Sequence, residues 1–241
     1  MGNWRARIGT VAPSRGDTYC YEFYQMVPRN ILLTQIALTV KKLTPDNFSR
    51  AFDAYEEAAL TLAEEGVETL ILGGGPVFVS QGSGTGEALC ARIQKATSLS
   101  VTTDFMAVAD AAHALGIKRL AIISPYREEL NGRIRSYFQE KGFQVPLIRG
   151  LGIERNTDIL NLPEDASFKL AIAAFREGPQ VDGFYITCPR WRSASSIAPL
   201  EKGTGKPVMT DAQVFIWSAF KALGIKDQVT GYGSLFSVTA V

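Results

Sequence analysis

Val181-Asp-Gly-Phe-Tyr-Ile-Thr-Cys188-Pro189 and Val67-Glu-Thr-Leu-Ile-Leu-Gly-Gly74-Gly75 read as two copies of one pattern. In each, a valine opens a short apolar run, and the seventh residue after it stands where the run breaks. That residue is Cys188 in one copy and Gly74 in the other. A short apolar run that stops at glycine or proline reads as a buried strand. A two-fold repeated enzyme with a cysteine at each equivalent strand end can move a proton between two faces of a carbon. This chain keeps one thiol, so one-sided chemistry is the first expectation.

The repeat extends outward from these segments. Arg7-Ile-Gly-Thr-Val-Ala-Pro13 resembles Arg119-Leu-Ala-Ile-Ile-Ser-Pro125. Val101-Thr-Thr-Asp104 leads through an apolar helical stretch to Ala114-Leu-Gly-Ile-Lys118, as Val208-Met-Thr-Asp211 leads to Ala222-Leu-Gly-Ile-Lys226. Three segments recurring in one order signal internal duplication. Runs 8–11, 70–72, 120–123 and 184–186 read as strands alternating with helical patterns, which predicts an α/β protein with mostly parallel sheets. Helices are expected over 47–65, 87–96, 105–115, 128–141 and 212–223. Thr44 and Pro45 suit the first helix's start, and Gly116 and Gly224 suit helix ends.

The expected architecture is two pseudo-symmetric α/β lobes, each a mostly parallel sheet flanked by helices. The first takes residues 1–103 plus 212–241, and the second 104–211. Ligands of open α/β sheets bind beyond the carboxyl ends of the strands. Facing lobes bring Pro13-Ser14, Gly73 to Val77, Pro125-Tyr126 and Thr187 to Arg190 to one central cleft.

Composition narrows the function classes. The chain has 241 residues, 46% hydrophobic and 20% charged, enough for one compact protein or two small lobes. A formal net charge of +1 offers no footprint for nucleic acid, and no basic cluster suggests a membrane surface. No run approaches the roughly 18 apolar residues of a membrane span. The start has no signal-like apolar stretch, and Met1-Gly2 is followed by Arg7 where a myristoylation signal favours Ser or Thr. Three widely spaced cysteines argue against a disulfide framework or a zinc site, which fits a reduced, cytoplasmic protein.

Cys188 is the expected catalytic residue. A thiol at a strand end beside cations such as Arg190 and Arg192 suits an acid, base or nucleophile, and the competing reading is a small buried hydrophobe. Cys90 and Cys20 read as packing residues. The run Gly73-Gly74-Gly75-Pro76 lacks the lysine of a phosphate loop and the spacing of a dinucleotide fingerprint. Gly82-Ser-Gly-Thr-Gly86 reads as a flexible loop. His113, the single histidine, lies inside a helical pattern, where a catalytic triad cannot readily use it. Tyr126 is placed to donate a hydrogen bond to a substrate carboxylate, with Ser14 its counterpart in the first lobe. Asp104 and Asp211 read as helix caps.

Together these segments resemble the aspartate/glutamate racemase superfamily, nearest to its arylmalonate decarboxylase and maleate cis-trans isomerase branch. The likeness runs from Ile8-Gly-Thr-Val-Ala-Pro13 through Gly74, Ser124-Pro-Tyr126 with Glu128-Glu-Leu-Asn131, and Thr187-Cys188, to Gly231-Tyr-Gly-Ser-Leu-Phe236. Racemases and the isomerase carry cysteines at both strand ends; the decarboxylase has glycine at the first and cysteine at the second, as here. The resemblance implies loss of carbon dioxide from a malonate-like acid, with the enediolate protonated by Cys188 and no metal or organic cofactor. Tyr126 matches a substrate-binding tyrosine there. Hydrogen-bond donors at such an anion contribute on the order of 3–4 kcal/mol each.

Two departures stand out. Gly75 and Pro76 replace two hydroxyl residues of the decarboxylase's oxyanion pocket, and Pro189 replaces a glycine whose N–H is a donor. Proline has no N–H to give. Either Gly75, Val77, Ser14 and the cation of Arg190 form a different cradle, or the protein does other chemistry. The alternatives are an isomerase or racemase-like enzyme of the same superfamily and a non-catalytic carboxylate-binding protein. The expected partner is a small carboxylic-acid substrate, with self-association possible because relatives often associate.

Overall fold

The computed structural model describes residues 4–238. The reading of Met1-Gly2, and the outermost residues assigned to the first lobe, lie outside them. The chain forms two four-stranded, all-parallel sheets. The first has the order β2-β1-β3-β4, from β1 (Ala6–Ala12), β2 (Ile31–Ala37), β3 (Thr69–Leu72) and β4 (Ser100–Thr103). The second has the order β6-β5-β7-β8, from β5 (Arg119–Ser124), β6 (Gln144–Gly150), β7 (Gly183–Ile186) and β8 (Val208–Thr210). Each sheet comes wholly from one of the two chain segments read as lobes.

Nine helices are described: α1 (Asp17–Met26), α2 (Pro45–Glu64), α3 (Gly75–Gln81), α4 (Thr85–Thr97), α5 (Asp104–Ala114), α6 (Glu128–Glu140), α7 (Ala166–Arg176), α8 (Ile197–Thr204) and α9 (Asp211–Leu223). None is long and apolar enough to cross a membrane. The helices α5 and α9 pack on each other, and each touches strands of both sheets, so they form the seam of the molecule.

The strands that the sequence reveals are the central ones. Parallel strands covered on both faces read as continuous apolar runs, and β3 and β7 are buried at every residue. The edge strands β2 and β6 are half-exposed and mix polar with apolar residues, so they lack that signature. The aromatic stretch from Tyr19 to Tyr24 is helix α1, with Tyr19 and Phe23 buried and Tyr21 and Tyr24 outside.

The halves are stitched together at buried polar contacts. Glu22 on α1 accepts the N–H groups of Ser193 and Ala194, both at 2.8 Å, through one carboxylate oxygen. Its other oxygen has no protein partner. Lys42 and Arg155 pair in an isolated antiparallel bridge, joining the loop after β2 to the segment after β6. His113 is exposed and stacks on Phe143, and Cys90 is buried in α4, so neither has a place in a cleft.

Candidate active site

In each sheet the chain steps outward from a central strand in one direction and later in the other. A crevice opens beyond the strand ends at such a switch. Here the switch strands are β1 and β3 in one sheet and β5 and β7 in the other. Pro13 and Ser14 follow β1, Gly73 and Gly74 follow β3, Tyr126 follows β5, and Cys188, Pro189 and Arg190 follow β7. All of them line one cavity of about 630 Å³, its open mouth included, together with Pro76 and Val77.

The two strand ends share a backbone shape. Gly74 has φ +101° and Cys188 has φ +92°. For a residue with a side chain, such a conformation costs about 1–3 kcal/mol and persists only when its surroundings impose it. Asp211 imposes it. Its carboxylate accepts the Cys188 N–H at 2.5 Å and, on the other oxygen, the Tyr185 hydroxyl at 2.6 Å. Asp104 acts likewise at the first strand end, accepting the N–H groups of Gly74 at 2.8 Å and Gly75 at 2.5 Å. The cap expectation for these aspartates is corrected: Thr103 and Thr210 cap α5 and α9, accepting from the N–H of Met106 and Gln213. Burial raises Asp104 to about 6, against the pull of those N–H groups. Burial, followed by repulsion from Asp104, holds Asp211 well above the ordinary carboxylate range.

Burial pushes the Cys188 thiol up to about 11. The Tyr126 side chain and the N–H groups of Arg190 and Trp191 oppose it by favouring the thiolate, while the Asp211 charge adds to it. The Trp191 N–H is engaged by the Cys188 carbonyl at 2.9 Å. Tyr126 is itself fixed by its motif: Asn131 donates to the Tyr126 carbonyl at 3.1 Å, and Ser124 accepts the Tyr126 N–H at 3.1 Å and donates to Asn131 at 2.5 Å.

Opposite Cys188, the space at Gly74 is closed. A Cβ there would lie 2.8 Å from Pro13 and 2.8 Å from the Tyr55 hydroxyl, which donates to the Gly73 carbonyl. Gly75 stands outside the cavity lining, its N–H given to Asp104. Val77 lines the cavity, but its N–H donates to the Gly74 carbonyl at 2.7 Å. The donors left near Cys188 are the Tyr126 phenol, the Ser14 hydroxyl and Arg190.

Arg190 is buried at 8% exposure. It donates to the carbonyls of Asn156 at 3.1 Å and Arg15 at 2.6 Å, and to the Ser14 hydroxyl at 3.2 Å. No carboxylate is hydrogen-bonded to it among the described residues. Asn156 also donates to Ser14, at 2.8 Å, so the Ser14 oxygen accepts twice and keeps its proton for a ligand. Sequence reasoning missed Asn156, the first residue of a short 3₁₀ helix, and the apolar wall of Val40, Leu43 and Phe48 from the loop after β2 and the start of α2. Cys20 is not in the lining; its thiol faces the Gln35 amide oxygen at 3.8 Å.

A family model described as arylmalonate decarboxylase matches residues 8–236. The chain belongs to that family. Among characterised relatives, the arylmalonate decarboxylase of Bordetella bronchiseptica is 26% identical over 95% of each chain. A maleate isomerase of Pseudomonas putida is 27% identical over 96% of this chain and 97% of its own. A solved Pseudomonas putida maleate isomerase variant with maleate superposes with a TM-score of 0.90 at 22% identity, covering 97% of this chain and 98% of that one. A liganded arylmalonate decarboxylase mutant, with a glycine changed to cysteine and a cysteine to serine, also gives 0.90 at 22% identity, over 97% and 100%. Enzymes of two different reactions thus share the fold of this chain.

Proposed function

We propose that the protein is a cofactor-independent decarboxylase of a malonate-like acid. The observation that carries this reading is Cys188: it is the single thiol lining the cavity, it faces a strand end closed to a second one, and burial keeps it protonated at neutral pH. A protonated thiol gives up a proton readily but is a poor nucleophile.

One substrate carboxylate is held by Arg190, Ser14 and Tyr126. The other is set against Val40, Leu43 and Phe48, where an unpaired charge is costly. The C–C bond to that second carboxylate breaks, carbon dioxide leaves, and the electron pair passes into the enediolate of the carboxyl that remains. Cys188 then gives its S–H proton to the enediolate carbon, and the thiolate regains a proton from water. Tyr126 and the N–H of Arg190 favour that thiolate in the interval.

The test is carbon dioxide release from a panel of substituted malonates by the native protein and by Cys188→Ala. Release by the native protein alone is expected. No release from any malonate, or equal release by the variant, rejects the reading. Maleate isomerisation is the second reading, favoured by the equal similarity to maleate isomerases. Fumarate appearing from maleate by proton NMR identifies it. Saturable carboxylate binding with neither conversion leaves a binding protein.

A further inference from the structure

The same cavity has a second polar end. Thr10, Tyr19 and Gln35 line it together with Cys188 and Arg190. Thr10 and Gln35 are register partners on neighbouring strands β1 and β2, and Tyr19 comes from α1. Thr10 is 1% exposed and Tyr19 2%. The Thr10 hydroxyl, the Tyr19 hydroxyl and the Gln35 amide nitrogen are all buried and none meets a well-aligned protein partner, although the Thr10 hydroxyl stands close enough to the Tyr19 phenol to favour its ionised form. A buried polar atom left unpaired costs about as much as a lost hydrogen bond, so three around one cavity need a reason.

The surroundings are built to hold these groups. The Gln35 amide fills the space at Gly16, where a Cβ would fall 2.6 Å from it. Cys20 faces the amide oxygen, so the nitrogen is the atom left over. Tyr19 is braced edge-on by Phe23 and Phe215. Burial drives the Tyr19 phenol up, so it remains an O–H donor. All three groups can donate, and none carries a charge.

We infer that Thr10, Tyr19 and Gln35 form a subsite for a neutral hydrogen-bond-accepting substituent of the substrate, such as a hydroxyl or carbonyl oxygen. This rests on the cavity being the substrate site proposed above. The consequence is selectivity: the substrate has an anionic pole toward Arg190 and a neutral polar pole toward Gln35, and a plain alkyl or aryl malonate leaves the three donors unmet. Pockets built to hydrogen-bond a substituent reject analogues lacking it far better than apolar pockets discriminate by size.

The test is a two-by-two panel of malonates bound to Cys188→Ala, which removes turnover from the readout. Methylmalonate and ethylmalonate are compared with hydroxymethylmalonate and carbamoylmethylmalonate, each as free acid and as dimethyl ester. The acid–ester contrast reads the carboxylate pole, and the substituent contrast reads the subsite, so either idea can fail alone. A preference on the order of tenfold or more for acceptor-bearing members is expected. Thr10→Val and Gln35→Leu, each added singly to Cys188→Ala, should shrink that preference several-fold. In the ligand-free state neither should lower Tm by more than about 2 °C, because each removes a buried polar atom without an aligned partner and gives up at most a weak contact, the Cys20 thiol to the Gln35 oxygen or the Thr10 hydroxyl to the Tyr19 phenol. No substituent preference overturns the inference, as does a preference that both variants leave unchanged. A larger fall in Tm with both variants overturns it too, by assigning the groups a structural role. Failure of every probe to bind overturns both ideas.

Discussion

Asp211 holds the Cys188 N–H at 2.5 Å, and the strained turn that carries the thiol hangs on that bond. Its counterpart Asp104 holds a turn with no reactive group. The two aspartates are structural twins with different consequences, and the difference can be measured. Asp211→Asn is expected to lower turnover about 10–100-fold, as the turn relaxes and Cys188 moves. Asp104→Asn should lower Tm by several degrees with a smaller effect on rate. Steady-state kinetics and thermal melts of both variants check this split.

Cys188 trades stability for position. Glycine accepts φ +92° freely, whereas alanine meets the same steric cost as cysteine. Cys188→Gly is therefore expected to be more stable than Cys188→Ala by about 1 kcal/mol, or about 2–4 °C in Tm, with both inactive. Paired melts of the two variants decide it, and equal stability would show an unstrained turn.

Gly74 cannot take a side chain without moving Pro13 or Tyr55. Gly74→Ala should cost about 2 kcal/mol or more, from crowding and from positive φ. Tyr55→Phe deletes the atom that stands 2.8 Å from the new methyl. The double variant should thus be less destabilised than the sum of the two singles, by about 1 kcal/mol in a denaturation cycle.

Glu22 gives the fold a pH dependence near neutrality. Burial raises its carboxyl from 4.5 to about 7, against the N–H groups of Ala194 and Ser193 and the cation of Arg192, with Glu164 adding repulsion. Because the folded value lies above the unfolded one, the native state is favoured at low pH and loses stability as pH rises from about 4.5 through 7. Glu22→Gln keeps an oxygen for the two N–H groups without the charge. It should match the native protein near pH 4.5 and exceed it by up to about 3 kcal/mol at pH 8. Urea titrations across that range check the sign.

The duplication was legible because its diagnostic strands are covered on both faces, which leaves Leu70 to Leu72 and Phe184 to Ile186 no choice but to be apolar. The place of Cys188, Ser14, Tyr126 and Arg190 at the cavity was legible because each follows such a strand within four residues. The edge strands were not, since water on one side permits Thr34 and Gln35 among the aliphatics. The Thr-Asp pairs at 103–104 and 210–211 were ambiguous in principle: either residue can cap a helix, and only the neighbouring strand end decides which one turns away. Gln35 and Asn156 carry no local signal, because each acquires its role from a neighbour far away in sequence, Thr10 across the sheet and Ser14 across the cleft.

The crowding at Gly74 bears on the chirality of the product. An enzyme that delivers its proton from Cys188 alone yields a single enantiomer whenever the protonated carbon carries four different groups. On the proposed reading, the opposite enantiomer calls for a thiol at the other strand end. Here a side chain at that end meets a proline ring and a tyrosine hydroxyl, so packing at Gly74 works in the same direction as the single thiol at Cys188.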